Sequence, residues 1–149
     1  MQKIRTELEI AYLCGDSFVF LPYLDLGRRN EILGIKVGSL VVSVKDTGLK
    51  NWHLAKILAM KSPEVGCKSA QLPSISDFPE LFASRYKFNR TIVKLKEWRV
   101  AADFWNFGKY HAKESIGYER HFVFDMEDGI KLEEANGYDQ VYTRLVYCV

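Results

Sequence analysis

Three histidines, three cysteines and a run of carboxylates are the side chains in this sequence best suited to chemistry, and their spacing limits what each can do. His53, His111 and His121 never stand at i, i+4, and no His-Glu-x-x-His occurs, so no helical turn presents two imidazoles to a metal. Cys14, Cys67 and Cys148 are far from any Cys-x-x-Cys pattern, and an odd count leaves at least one thiol unpaired within the chain. Free cysteine packs as a small hydrophobe, so buried, inert thiols are expected. A Cys67–Cys148 bridge would require an oxidising compartment. Asp125, Glu127 and Asp128 are carboxylates of the kind a hard cation takes. Such a cation wants six to eight oxygens, and a solvated hairpin turn accounts for these three. His111 stands near Lys109, Lys113 and Glu114, which reads as a solvated loop. No Gly-x-Ser-x-Gly, phosphate-binding loop or Gly-x-Gly-x-x-Gly is present. The sequence therefore assigns no catalytic residue, no metal and no cofactor.

Recognition chemistry is better represented. Arg85, Lys87, Arg90, Lys94, Lys96 and Arg99 cluster in one stretch, interleaved with Tyr86, Phe88 and Trp98. Asp125, Glu127, Asp128, Glu133, Glu134 and Asp139 cluster in another. Basic residues among aromatics suit single-stranded nucleic acid. The net charge of +2 is too small to call for such a partner, and two solvated faces explain the layout. Phe107, Tyr110 and Tyr118 surround the Gly108–Gly117 stretch, where aromatic rings offer flat apolar area at little entropic cost. The same rings packed beneath the loop are the alternative.

The elements that must position these groups follow from periodicity. The chain has 149 residues, 48% of them apolar and 27% charged, which suits one domain over residues 1–149. No apolar stretch reaches the roughly 20 residues that span a bilayer. Glu7 and Glu9 interrupt any secretory pattern at the start, so the expectation is a cytoplasmic protein or one whose leader has been removed. Residues 10–24 read as strand with a turn at Gly15-Asp16, residues 24–30 as loop, and Ile32 to Val44 as β-branched strand. Asn51 is a good N-cap for a helix to Met60, with Trp52, Ala55, Leu58 and Ala59 on one stripe. Leu72-Pro73-Ser74 opens a second helix to about Tyr86, and Pro79 belongs in its first turn. From Asn89 onward strands and loops are expected, with Val93 and Leu95 on one face of a strand. Arg120 to Met126, Glu127-Asp128-Gly129 and Ile130 to Leu132 form the clearest hairpin. Asn136-Gly137 marks another turn, and Val141 to Val149 reads as a closing strand. The order of elements alone indicates an α+β fold with antiparallel sheet.

Several segments in that order sharpen the picture. Leu40-Val41-Val42-Ser43-Val44-Lys45-Asp46-Thr47-Gly48 is followed by Trp52 and Ala55. Then come Leu72-Pro73-Ser74 with Leu81, Phe104-Trp105, Phe122 to Gly129, and Thr143-Arg144-Leu145-Val146. Over about residues 32–149 the chain resembles the bacterial Lcl C-terminal-domain family, C-type-lectin-like modules of surface proteins distantly related to formylglycine-generating enzymes. The resemblance implies a C-type-lectin-like fold of twisted antiparallel sheets with two helices and long loops. It implies a non-catalytic binding or adhesion module at the cell surface or secreted, with a glycan or protein partner, or a scaffold domain with no small ligand. It also implies ligand contacts in the long loop, where the candidates are Trp105, Asn106, Phe107, Tyr110, His111 and Tyr118. The chain departs from the family at Ser69-Ala70-Gln71 and Trp105-Asn106-Phe107. It lacks the Glu-Pro-Asn of calcium-dependent lectins, and Tyr147-Cys148 lacks the Arg-Gly-Gly-Ser context of the enzymes.

Overall fold

Ile4, Thr6 and Leu8 are half-buried between the exposed Lys3, Arg5 and Glu7, the two-residue period of a strand with one wet face. In the computed structural model, which describes residues 3–117, 120–134 and 139–149, this alternation extends β1 (Lys3–Cys14) well before Ile10. A turn at Gly15 returns the chain into β2 (Ser17–Asp25). Leu26–Glu31 forms a short 3-10 turn where a loop was expected, started by the Asp25 carboxylate accepting from the Gly27 N–H. β3 (Ile32–Val37) and β4 (Leu40–Ser43) follow as a hairpin. Gly34 is required there by close approach: a Cβ would lie 2.5 Å from the Val42 carbonyl oxygen.

β5 (Gly48–Lys50) precedes α1 (Trp52–Lys61), and the Asn51 side chain accepts from the Leu54 N–H as its cap. The next helical region divides at Ser84 into α2 (Phe78–Ala83) and α3 (Arg85–Glu97). Among the described residues three α-helices therefore stand where two were expected, and residues 91–96 are helix rather than strand. The signal is the burial of Phe88, Thr91, Ile92 and Leu95 at spacings of three and four, while Val93 faces solvent. Gly108–Gly117, expected as loop, is mostly β6 (Lys109–Gly117). β7 (Arg120–Asp125) and β8 (Ile130–Glu134) form the expected hairpin. Its turn is held by Asp125 Oδ1 accepting from the Glu127 N–H and by Gly129 at φ +74°. The Asn136-Gly137 turn lies outside the described residues. The closing segment is two strands, β9 (Val141–Thr143) and β10 (Val146–Cys148), separated by Arg144-Leu145.

The first sheet has the order β10-β4-β3-β1-β2 and is antiparallel throughout. The second has the order β5-β9-β6-β7-β8 and is mixed, because β9 runs antiparallel to β5 but pairs parallel with β6 at Tyr110–Tyr142. The fold is thus α+β with one antiparallel and one mixed sheet. Strand alternation sorts the first sheet's faces. Ile10, Tyr12, Val42 and Val146 join Phe88, Ile92 and Leu95 in the larger core. Ala11, Val41 and Tyr147 join Trp52, Ala55, Ala59 and Leu72 on the other side. Each large apolar side chain buried there contributes roughly 1.5–3 kcal/mol. Trp52 and Trp105 are both interior. All three cysteines are exposed, which corrects the expectation of buried thiols. Their positions explain it: Cys14 ends a strand at a turn, Cys67 lies in a turn, and Cys148 lies at the end of an edge strand.

Candidate functional site

The crossing from β9 to β10 carries the chain from one sheet to the other, and it places Arg144 in the interior with no exposed surface. A buried guanidinium costs several kcal/mol unless its donors are met and its charge is paired. Here Nε donates to the Ser43 carbonyl at 2.9 Å and Nη1 to that of Phe104 at 2.9 Å. Nη2 donates to the carbonyls of Val44 at 3.0 Å and Asp103 at 2.6 Å. The Asp46 carboxylate supplies the counter-charge, 3.8 Å from Nη1. The rings of Phe88 and Trp105 lie 4.7 and 5.1 Å from the guanidinium carbon. Burial pulls the Arg144 pKa down, and Asp46 opposes that pull. One side chain thereby ties the end of β4 to the loop over residues 103–104.

Asp46 is a second junction. Its Oδ1 accepts from the Gly48 N–H at 2.7 Å, and its Oδ2 accepts from the Tyr110 hydroxyl at 2.8 Å. Its own N–H donates to Asp103 Oδ2 at 2.9 Å. The Tyr110 oxygen in turn accepts from the Asn106 N–H at 3.0 Å. Burial first, then the Asp46 charge, pushes the Tyr110 phenol far above its ordinary value, so it stays a donor. Asn89 on α3 completes the support by pairing with both backbone groups of Trp105. The segment 103–106, which has no regular secondary structure, is therefore fixed at nearly every residue.

That fixed segment forms one wall of a cleft of about 320 Å³ lined by Asp46, Gly48, Lys96, Asp103, Phe104, Asn106 and Tyr142. The Phe104 ring is 42% exposed, with the Lys96 ammonium 5.4 Å from its centre. A ladder of rings runs from the core to the cleft: Phe88 meets Trp105 edge-on, Trp105 stacks on Tyr110 at 5.0 Å, and Tyr110 stacks on Tyr142 at 5.4 Å. The cleft thus offers a flat apolar ring, the exposed Asp103 carboxylate, an amide and an ammonium, while the Asp46 carboxylate behind them is nearly buried and engaged inside. A larger cleft of about 540 Å³ between β1 and α3 is lined by Arg5, Glu7, Arg90, Lys94 and Glu97, charges that largely offset one another. There Arg90 already pairs with Glu7 at 3.3 Å.

The sequence candidates divide sharply. Asn106 is exposed and lines the smaller cleft. Phe107 is also exposed, but it lies against Tyr86 with Arg85 beside it, forming a separate aromatic and cationic patch. Trp105, Tyr110 and His111 are interior and support the region from beneath. Tyr118 lies outside the described residues. The sequence reading missed Asp46, Asp103 and Phe104 as lining residues and Arg144 as their anchor. The signal for Arg144 was an arginine inside an apolar closing segment, since arginine is almost never fully buried unless paired.

His111 belongs to a second buried polar cluster. Its Nε2 lies 2.6 Å from the Lys50 carbonyl oxygen, which can only accept, so Nε2 carries the proton. Its Nδ1 then accepts from His121 Nε2–H at 3.0 Å. Among the described residues, the buried His121 Nδ1 has no hydrogen-bond partner. His121 stacks on Trp52 at 4.6 Å, and the indole N–H of Trp52 donates to the Ala112 carbonyl at 3.0 Å. Burial holds both imidazoles neutral. His111 is shifted down despite the Lys50 carbonyl, and His121 is pulled down to about 4 by burial and then by His111, His53 and Lys56. Among the described residues, no three His, Cys, Asp or Glu side chains gather as a metal site would. No helix among them is long and apolar enough to cross a membrane.

In comparisons with known proteins, no family model matched the chain, and no curated protein matched it.

Proposed function

We propose that the chain is a non-catalytic, C-type-lectin-like binding module of a bacterial surface or secreted protein, and that it takes a carbohydrate in the cleft between Asp46 and Phe104. The observation that carries this reading is the exposed Phe104 ring beside the Asp46 and Asp103 carboxylates and the Asn106 amide, on a wall fixed by Arg144. A sugar presents a C–H face that stacks on an aromatic ring and a rim of hydroxyls that donate to carboxylates and amides. Each carboxylate oxygen has two lone pairs, so the exposed Asp103 retains acceptor capacity beyond its bond from the Asp46 N–H. A wall held in place before the ligand arrives lowers the ordering cost of binding. The order of motifs shared with the Lcl C-terminal-domain family supports the lectin-like reading, as does the sharing of one sheet by the first and last strands.

The test is a glycan array probed with the purified chain and with Phe104→Ala. Binding to a defined glycan class, lost in the variant, is expected. Signal that survives Phe104→Ala would remove the cleft as the site. A blank array across broad classes would favour the second reading, an interaction domain with no small ligand. That reading rests on the exposed rings of Tyr86 and Phe107 around Arg85.

A further inference from the structure

Two of the three exposed thiols share a cleft on the side of the edge strand β10 away from its sheet neighbour β4. Gln71 and Val146 exchange both backbone hydrogen bonds at 2.9 Å, so the chain after α1 runs antiparallel along β10. Continuing that register by two residues sets Ser69 opposite Cys148. Cys67 follows just beyond, in a turn closed by the paired Val65 and Lys68. Cys67 and Cys148 line one cleft of about 290 Å³ together with Lys68, Ser69 and Gln71. The Gln71 amide donates to Cys148 Sγ at 2.9 Å, which holds that sulfur in the cleft. Buried Val65 and Ala70 anchor the turn on both sides, while Gly66, Cys67, Lys68 and Ser69 are exposed and Gly66 has φ +63°.

We infer that Cys67 and Cys148 are a thiol–disulfide pair that a low-molecular-weight disulfide oxidises, stapling the 65–71 segment to β10. The thiolate of one cysteine attacks a sulfur of the small disulfide, forming a mixed disulfide and releasing one small thiolate. The thiolate of the other then attacks the protein-side sulfur and releases the second. The protein loses two protons and two electrons, and the small disulfide takes them up as two thiols. Closing requires the two Cα atoms within about 4.4–6.8 Å, and both thiols already line the same cleft. This pair is independent of the carbohydrate cleft.

The experiment uses the full chain carrying Cys14→Ser, incubated with oxidised glutathione and followed by intact mass and non-reducing peptide mapping. The expected result is loss of two hydrogens with no retained glutathione, and one linked peptide pair joining Cys67 to Cys148. Adding Cys67→Ser or Cys148→Ser should instead trap a stable glutathione adduct on the remaining thiol. The inference is overturned if both cysteines keep glutathione, if neither reacts, or if the link joins two chains. It is also overturned if the chain with all three cysteines links Cys14 to Cys67 instead. All these positions are exposed, so the serine variants leave the core untouched.

Discussion

Two buried polar clusters in this protein solve the same problem in different ways. Around Arg144, a full charge is kept in the interior by four carbonyl acceptors, a carboxylate and two rings, and the cluster opens through Asp46 onto a cleft. Around His111 and His121, the groups are kept neutral, one nitrogen has no partner among the described residues, and the cluster is sealed under Trp52. The charged cluster organises backbone that has no regular hydrogen bonding of its own. The neutral one fills space between strands already paired with each other and with α1. A buried charge that is fully met can act as a fastener for loops, whereas a neutral pair serves the core and makes stability depend on pH.

The largest expected effect tests the fastener. Arg144→Met removes the guanidinium's four bonds to the 43–44 and 103–104 carbonyls, leaves the Val44 carbonyl with only the Asp103 N–H, and takes the counter-charge from Asp46, so urea unfolding should show a loss of about 3–5 kcal/mol. A loss below 1 kcal/mol would mean that the loop holds itself. The next effect concerns the neutral pair. An imidazole whose pKa is lower folded than unfolded gives stability that is complete above about 6.5 and declines as pH falls toward the folded value. With His121 near 4 and its partner His111 also shifted down, acid titration from pH 7 to pH 4 should lower stability progressively through the pair. His121→Phe keeps a ring on Trp52 and should flatten that part of the profile; an unchanged slope would assign it to carboxylates instead. Tyr110→Phe leaves the ring ladder intact but removes the donor to Asp46 and the acceptor for Asn106, for an expected loss of about 1–2 kcal/mol in thermal unfolding. Smallest in stability is Phe104→Ala, expected within about 0.5 kcal/mol of the parent because the ring is half exposed. Its effect on carbohydrate affinity should nevertheless reach about tenfold, or 1.4 kcal/mol.

The sequence showed the regular elements around both clusters better than the irregular segments that join them. Trp52, the Asn51 cap, the Asp128-Gly129 hairpin and the β-branched run at Ile32–Val44 each announce themselves through local spacing or turn chemistry, and all appear in the fold. Residues 91–96 misled because Val93 and Leu95 alternate over a short span, while the helical stripe of Phe88, Thr91, Ile92 and Leu95 needs a longer window to see. The 108–117 stretch misled because its glycines read as loop, although Tyr110, His111 and Ala112 are an interior strand centre. The cleft was the least legible part. Its residues come from positions 46, 48, 96, 103, 104, 106 and 142, which no local pattern joins, and a tertiary contact of Arg144 anchors the 103–104 part. Of the candidates chosen as exposed recognition residues, the aromatic and imidazole members went mostly to the interior, since large flat side chains repay burial most.

Mapping backbone amide shifts by NMR during titration with a panel of soluble oligosaccharides bears most directly on the proposal that the Arg144-held wall is a binding surface. Saturable shifts confined to Gly48, Asp103, Phe104 and Asn106, and abolished by Phe104→Ala, are expected. Shifts centred instead on Tyr86 and Phe107, or a spectrum that no sugar perturbs, would contradict it.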